Sequence, residues 1–104
     1  LLPAPTLSFD SNVNQSSITL YSHITVLCTI PNNAKMPVKI HLSKADTANT
    51  STPFMSTNQV RLKEVKFFLK VTLDLEGSFV CWYSGISSKV QSQFSERLNI
   101  TICE

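Results

Sequence analysis

Glycine is almost missing from this chain: only Gly77 and Gly85 occur. A phosphate-cradling loop needs several glycines so that backbone amides can crowd an anion, and two isolated ones exclude it. Charge is sparse as well, at 15% of residues, with no basic run longer than two. Nine Lys and Arg against seven Asp and Glu leave a net +2, which offers no electrostatic footprint to nucleic acid or to an anionic membrane. No apolar stretch approaches the ~20 residues that a membrane helix requires, so no direct membrane insertion is expected from this segment. Nor does the chain open on the charged-then-apolar pattern of a secretory leader. If it is extracellular, it is expected to be a processed or excised piece whose anchor lies elsewhere.

Catalytic and metal-binding patterns are also lacking. The only histidines, His23 and His41, fall on or near outward faces of core strands. Cys-x-x-Cys and His-x-x-x-His spacings are absent, and a small sandwich rarely offers the cleft that a His-Cys or His-carboxylate pair would need. The expectation is a protein that is not an enzyme and takes no cofactor.

What remains is an alternation of period two, rich in Ser, Thr, Asn and Gln, over a chain of 104 residues that fits one domain, 1–104. Thr6 to Phe9 reads as an edge strand behind Pro3 and Pro5. Asp10 to Gln15 is turn chemistry, and Ser17 to Tyr21 a short strand. In His23 to Ile30, Ile24, Val26, Cys28 and Ile30 share one face. Pro31 to Asn33 turns the chain, and Pro37 to Lys44 puts Val38, Ile40 and Leu42 inward with Lys39, His41 and Ser43 outward.

Ala45 to Thr57 reads as a long connection between sheets with room for one short edge strand. Gln59 to Leu62 could begin a strand, and Val65 to Leu73 alternates Val65, Phe67, Leu69, Val71 and Leu73 against Lys66, Phe68, Lys70 and Thr72. After a turn at Asp74 to Gly77, Ser78 to Ser84 directs Phe79, Cys81 and Tyr83 inward and Val80 and Trp82 away. Gly85 to Ser88 is a hairpin turn, and Gln91 to Ile102 a last strand with Leu98, Ile100 and Ile102 inward. Seven to eight short strands broken by turns are the signature of an all-β sandwich or barrel, and the cysteines favour the two-sheet antiparallel sandwich.

Strand parity decides among the three pairings that three cysteines allow. Side chains alternate faces along a strand, so Cys28 keeps step with Ile24 and Val26, and Cys81 with Phe79. Both enter the core and are expected to form one inter-sheet disulfide, the pin of an immunoglobulin-type fold. Closing so long a loop stabilises by roughly 4 kcal/mol on the chain-entropy estimate. Cys103 is out of step with its neighbours and faces away. It is a free thiol, the partner of a cysteine in a neighbouring domain, or one half of an interchain bond. The sequons at Asn14, Asn49 and Asn99, on turns or outward positions beside the expected disulfide, point to glycosylation and an extracellular location.

With strands and cysteines placed, the chain resembles the immunoglobulin-like domains of leukocyte and killer-cell immunoglobulin-like receptors and Fc receptors, nearly end to end. Leu2-Pro3-Ala4-Pro5-Thr6-Leu7-Ser8 is similar to their proline-bearing first strand, and Ile24-Thr25-Val26-Leu27-Cys28 to their second. Leu75 to Ser84 resembles their Gly-x-Tyr-x-Cys-x-Tyr run, and Phe94-Ser95-Glu96 before Leu98-Asn99-Ile100 is similar to their aromatic-Ser element. Two departures stand out. No tryptophan faces the disulfide from the third strand, where Ile40 or Leu42 takes the space, and such receptors often lack it as well. Phe79 replaces the tyrosine whose hydroxyl makes a corner hydrogen bond.

The resemblance implies an extracellular domain of a cell-surface immune-type receptor that binds a protein ligand. The alternatives are a structural or adhesion module in a larger ectodomain, and a secreted mimic that sequesters a ligand. Trp82, on one sheet near Lys39 and His41, either meets a partner or is covered by a neighbouring domain or by the chain's own loops. Phe68, on the opposite sheet, is expected to pack under the Ala45 to Thr57 crossover. By position the family's binding loops would be Asn32 to Met36, Ala45 to Thr57 and Gly85 to Lys89.

Overall fold

The computed structural model describes residues 2–47, 53–85 and 90–103. Among the described residues seven strands form: β1 Thr6–Phe9, β2 His23–Thr29, β3 Lys39–Lys44, β4 Met55–Ser56, β5 Glu64–Lys70, β6 Gly77–Ser84 and β7 Leu98–Ile100. They divide into a three-stranded sheet, β1-β2-β5, and a four-stranded sheet, β4-β3-β6-β7, with every strand pair antiparallel. This is the immunoglobulin-like sandwich that the alternation predicts. Period two is the cause: each strand turns its branched and aromatic residues to one side, and two such sides can leave water only by facing each other.

The core is the sum of those faces. Ile24, Val26 and Cys28 from β2 and Phe67 and Leu69 from β5 meet Ile40 and Leu42 from β3 and Phe79, Cys81 and Tyr83 from β6. Cys28 and Cys81 are bonded at its centre, both fully buried, with Cα atoms 6.3 Å apart. Ile40 and Leu42, wholly buried, fill the space a tryptophan would take, and Leu42 is the cross-strand partner of Cys81. Phe79 keeps the corner residue's packing and has the Phe54 ring edge-on at 5.6 Å.

Several expectations need correction. Ser17 to Tyr21 is no strand: Tyr21 has φ 68°, a left-handed conformation that ends any extended run, and only Thr19 makes a bridge, to Cys103. Gln59 to Leu62 likewise contributes one bridge, Val60 to Val38. Leu73 is 67% exposed because the chain leaves β5 at Lys70 and tightens into a 3-10 turn, Leu73–Leu75, which buries Leu75 instead. Gly77 follows at φ 137°, which favours glycine, and releases the chain into β6. Val80 faces away from the core as expected, yet it is only 4% exposed. Its partner Ser43 is buried too, and the 3-10 turn Ala45–Thr47 packs against β6 on this sheet.

The last strand is shorter than its alternation implies, for a chemical reason. Ser92 and Ser95 run beside Tyr83 and Cys81 of β6, so four residues on one side span three on the other, as in a bulge. Their N–H groups donate to the Tyr83 and Cys81 carbonyls at 2.8 and 2.9 Å. The return bonds go to hydroxyls: the N–H groups of Tyr83 and Cys81 donate to Ser92 Oγ and Ser95 Oγ, both at 2.9 Å. Both serines are buried, so serine oxygens stand in for the carbonyls the bulge has displaced.

The chain's start joins both sheets. Leu2 makes a parallel bridge to Ser92 beside the four-stranded sheet, while four residues later Thr6 pairs with Thr29 in the other. Pro3 and Pro5, which have no N–H to satisfy, make the crossing. The Tyr83 hydroxyl donates to the Pro3 carbonyl at 2.7 Å, and burial pushes that phenol's pKa up.

Candidate functional site

The outer face of the four-stranded sheet gathers the three residues that the sequence marks for binding. β3 and β6 pair with His41 opposite Trp82 and Lys39 opposite Ser84. Cross-strand neighbours on one face touch, and here the His41 imidazole stacks on the Trp82 indole with ring centroids 4.0 Å apart and planes 28° off parallel. Phe94, from the serine-anchored segment, closes the cluster at 6.1 Å from Trp82. Lys39 is exposed at its edge.

Hydroxyl groups ring the cluster. His41 Nδ1 lies 2.7 Å from Ser56 Oγ on β4, and Nε2 lies 3.0 Å from Ser84 Oγ on β6. One ring nitrogen donates and the other accepts, a task for which neutral imidazole is built and which either hydroxyl can match by rotating. Trp82 Nε1 donates to Ser43 Oγ at 3.5 Å. Burial, and then the nearby Lys39 ammonium, hold the His41 pKa below its ordinary value of 6.5. The histidine is therefore a neutral, oriented platform under the indole at physiological pH. Trp82 is half-buried by its own strand neighbours and keeps one side toward solvent.

A second concave surface lies at the end of the sandwich where the chain starts. Leu2, Pro3, Met36, Pro37, Tyr83 and Val90 line a mainly apolar cleft of about 460 Å³. The 31–34 turn beside it is held by Lys63, whose Nζ donates to the carbonyls of Asn32 at 2.9 Å and Ala34 at 3.3 Å. The Asn32 to Met36 loop is thus in place. Residues 86–89 of the Gly85 to Lys89 loop, residues 48–52 of the crossover and the Asn49 sequon lie outside the described residues.

The other marked residues are separate from this cluster. His23 is exposed at the start of β2 on the opposite sheet. Asn14 is exposed in a turn, its Oδ1 accepting from Ser16 N and Oγ at 3.2 and 2.8 Å. Asn99 is exposed on β7 and accepts from Ser78 Oγ at 2.5 Å. Cys103 is exposed and unbonded, its N–H donating to the Ile18 carbonyl at 2.6 Å.

Phe68 overturns its expectation. It is 71% exposed: the crossover delivers β4 to the edge of the other sheet, beside β3. Sequence reasoning did not single out the hydroxyl ring of Ser43, Ser56 and Ser84. The outward parity of Ser43 beside outward His41 and Trp82 was its one legible trace. Among the described residues no group of three or more His, Cys, Asp or Glu side chains could hold a metal ion, and no helix is long and apolar enough to cross a membrane.

No family model matches the chain, and no curated protein matches it in sequence. Among solved structures it is similar to the crystal structure of CHIR-AB1, a chicken immunoglobulin-like receptor, at 21% identity and a TM-score of 0.75. The superposition covers 98% of this chain and 100% of that one. At that identity the likeness speaks for the fold: an immunoglobulin-like sandwich of the same design as a receptor domain.

Proposed function

We propose that this chain is a single extracellular immunoglobulin-like domain of a cell-surface immune-type receptor. In this reading it binds a protein ligand through the outer face of the four-stranded sheet. The observation that carries the reading is the half-buried Trp82, stacked on His41 and flanked by Phe94 and exposed Lys39. Binding energy at protein interfaces concentrates in aromatic anchors that are already held in place, since little rotamer freedom is then lost on docking. The stack fixes the indole, the serine hydroxyls satisfy the imidazole, and Lys39 adds a charge at the rim. The Cys28–Cys81 bond and the sequons at Asn14, Asn49 and Asn99 support the extracellular setting, with glycans expected on all three asparagines.

Modules of this kind bind weakly one at a time, so the test uses avidity. A fluorescent tetramer of the domain is screened against an arrayed library of cell-surface ectodomains, and each hit is re-measured with Trp82→Ala. The expected result is a hit whose affinity falls at least about tenfold in the variant. An affinity unchanged by Trp82→Ala, in a domain with the native circular dichroism spectrum, rules this face out.

A further inference from the structure

The three-stranded sheet ends in a bare edge. β5 has β2 on one side, and among the described residues no backbone group pairs with its other side. Parity says which groups are exposed there. Just beyond the ends of β5, Ile30 N donates to the Lys63 carbonyl and Val71 N donates to the Ser22 carbonyl. In an antiparallel ladder the residues that bond to a given neighbour alternate, so odd-numbered residues of β5 bond to β2. The N–H and C=O groups of Glu64, Lys66, Phe68 and Lys70 therefore point to the open edge. These four carry exposed side chains on the outer face of the sheet.

A second copy of the same strand fits this edge in one register. Antiparallel pairing about a two-fold axis must match even residues with even ones. Centring the axis on Phe67 sets Glu64 against the partner's Lys70 and Lys66 against the partner's Phe68, each twice by symmetry. Opposite charges meet at the ends, and an ammonium lies beside an aromatic ring in the middle. On the inner face Val65 meets the partner's Leu69, which continues both cores. Slipping the strands by one permitted step in either direction sets Lys66 against the partner's Lys66, or against the partner's Lys70. Lysines on an edge ordinarily deter strand addition. Here they deter the slipped registers and leave one that is complementary.

We propose that two copies of this chain associate edge to edge through β5, forming a continuous six-stranded sheet with an isologous two-fold interface. Phe68, the most exposed large apolar side chain described, is then covered by the partner's Lys66. Neither Asn14 nor Asn99 lies on β5. The proposal is independent of the ligand-binding reading, since it uses the opposite sheet.

An interface of one strand is small, so the association is weak and is measured by sedimentation equilibrium up to about 1 mM. Glu64→Lys and Lys70→Glu each set like charges opposite one another and are expected to weaken self-association about tenfold. They shift the net charge of +2 in opposite directions, so a general charge effect cannot mimic both. The double variant Glu64→Lys/Lys70→Glu restores the pairing and is expected within about threefold of the parent. In an NMR concentration series, shift changes should concentrate at the amides of Lys66 and Phe68. A parent chain monomeric throughout the range, single variants without effect, a double variant that stays weak, or shifts centred on another surface would each overturn the proposal.

Discussion

On the outer face of each sheet one strand carries a large aromatic residue, and the two faces treat it in opposite ways. On the four-stranded sheet, Trp82 is stacked by His41 and flanked by Phe94, while the Ser43 hydroxyl takes its N–H. On the three-stranded sheet, Phe68 stands 71% exposed between Lys66 and Lys70, with no ring stacked on it among the described residues. The lesson is about number of neighbours. A central strand such as β6 has partners on both sides to supply contacts, whereas β5 is an edge and has one. An aromatic on an interior strand is held in place before any partner arrives, and one on an edge is left for a partner to cover.

The comparison rests on both sheets staying clamped together, and the largest expected effect comes from removing the clamp. Replacing Cys28 and Cys81 by alanine together should cost about 4 kcal/mol, read as a lower urea midpoint. For a domain whose total stability is of order 5–15 kcal/mol, that leaves little margin. Next come the two aromatics. Trp82→Ala should cost about 2 kcal/mol, roughly half of what a fully buried aromatic loses, and Phe68→Ala should stay within about 0.5 kcal/mol. Equal losses in thermal unfolding would show the two faces to be alike. Ser95→Ala removes the acceptor for a buried N–H and should cost about 1–2 kcal/mol without disturbing the Trp82 stack. A cost near zero would mean that water replaces the hydroxyl.

The smallest effect is the pH dependence of the aromatic platform. His41 has its pKa depressed in the fold, so the unfolded chain binds the proton more readily. The associated stability is fully present above the ordinary value of 6.5 and is lost as pH falls from there through the folded-state value. Denaturant midpoints between about pH 7.5 and 5 should fall for the parent and fall less for His41→Gln. A parent and variant that track each other would detach the imidazole from the stability of this face.

Much of this was legible in the sequence, because alternation is an arithmetic signal. Ile24, Val26 and Cys28, or Phe79, Cys81 and Tyr83, sort themselves onto one face without any knowledge of their partners, and the disulfide follows. The pairing of His41 with Trp82 needed only two strands assigned as neighbours. What escaped depends on facts that no local pattern carries. Phe68 and the crossover share a stretch of sequence but not a sheet, and connectivity decides which face a loop covers. Leu73 obeys the alternation of β5 until a tighter turn intervenes. Tyr21 bars a strand through a backbone angle that its side chain does not announce. Ser92 and Ser95 read as ordinary polar residues until the bulge beside β6 makes their hydroxyls into part of a ladder.

That ladder has a consequence of its own. Where two strands are joined by backbone alone, the amides between them are shielded by groups that no mutation can delete. At Cys81 and Tyr83 the shielding belongs to side chains, so their hydrogen exchange with solvent depends on single oxygen atoms. The attachment of the final segment can thus be loosened one amide at a time, by chemistry rather than by rebuilding the chain.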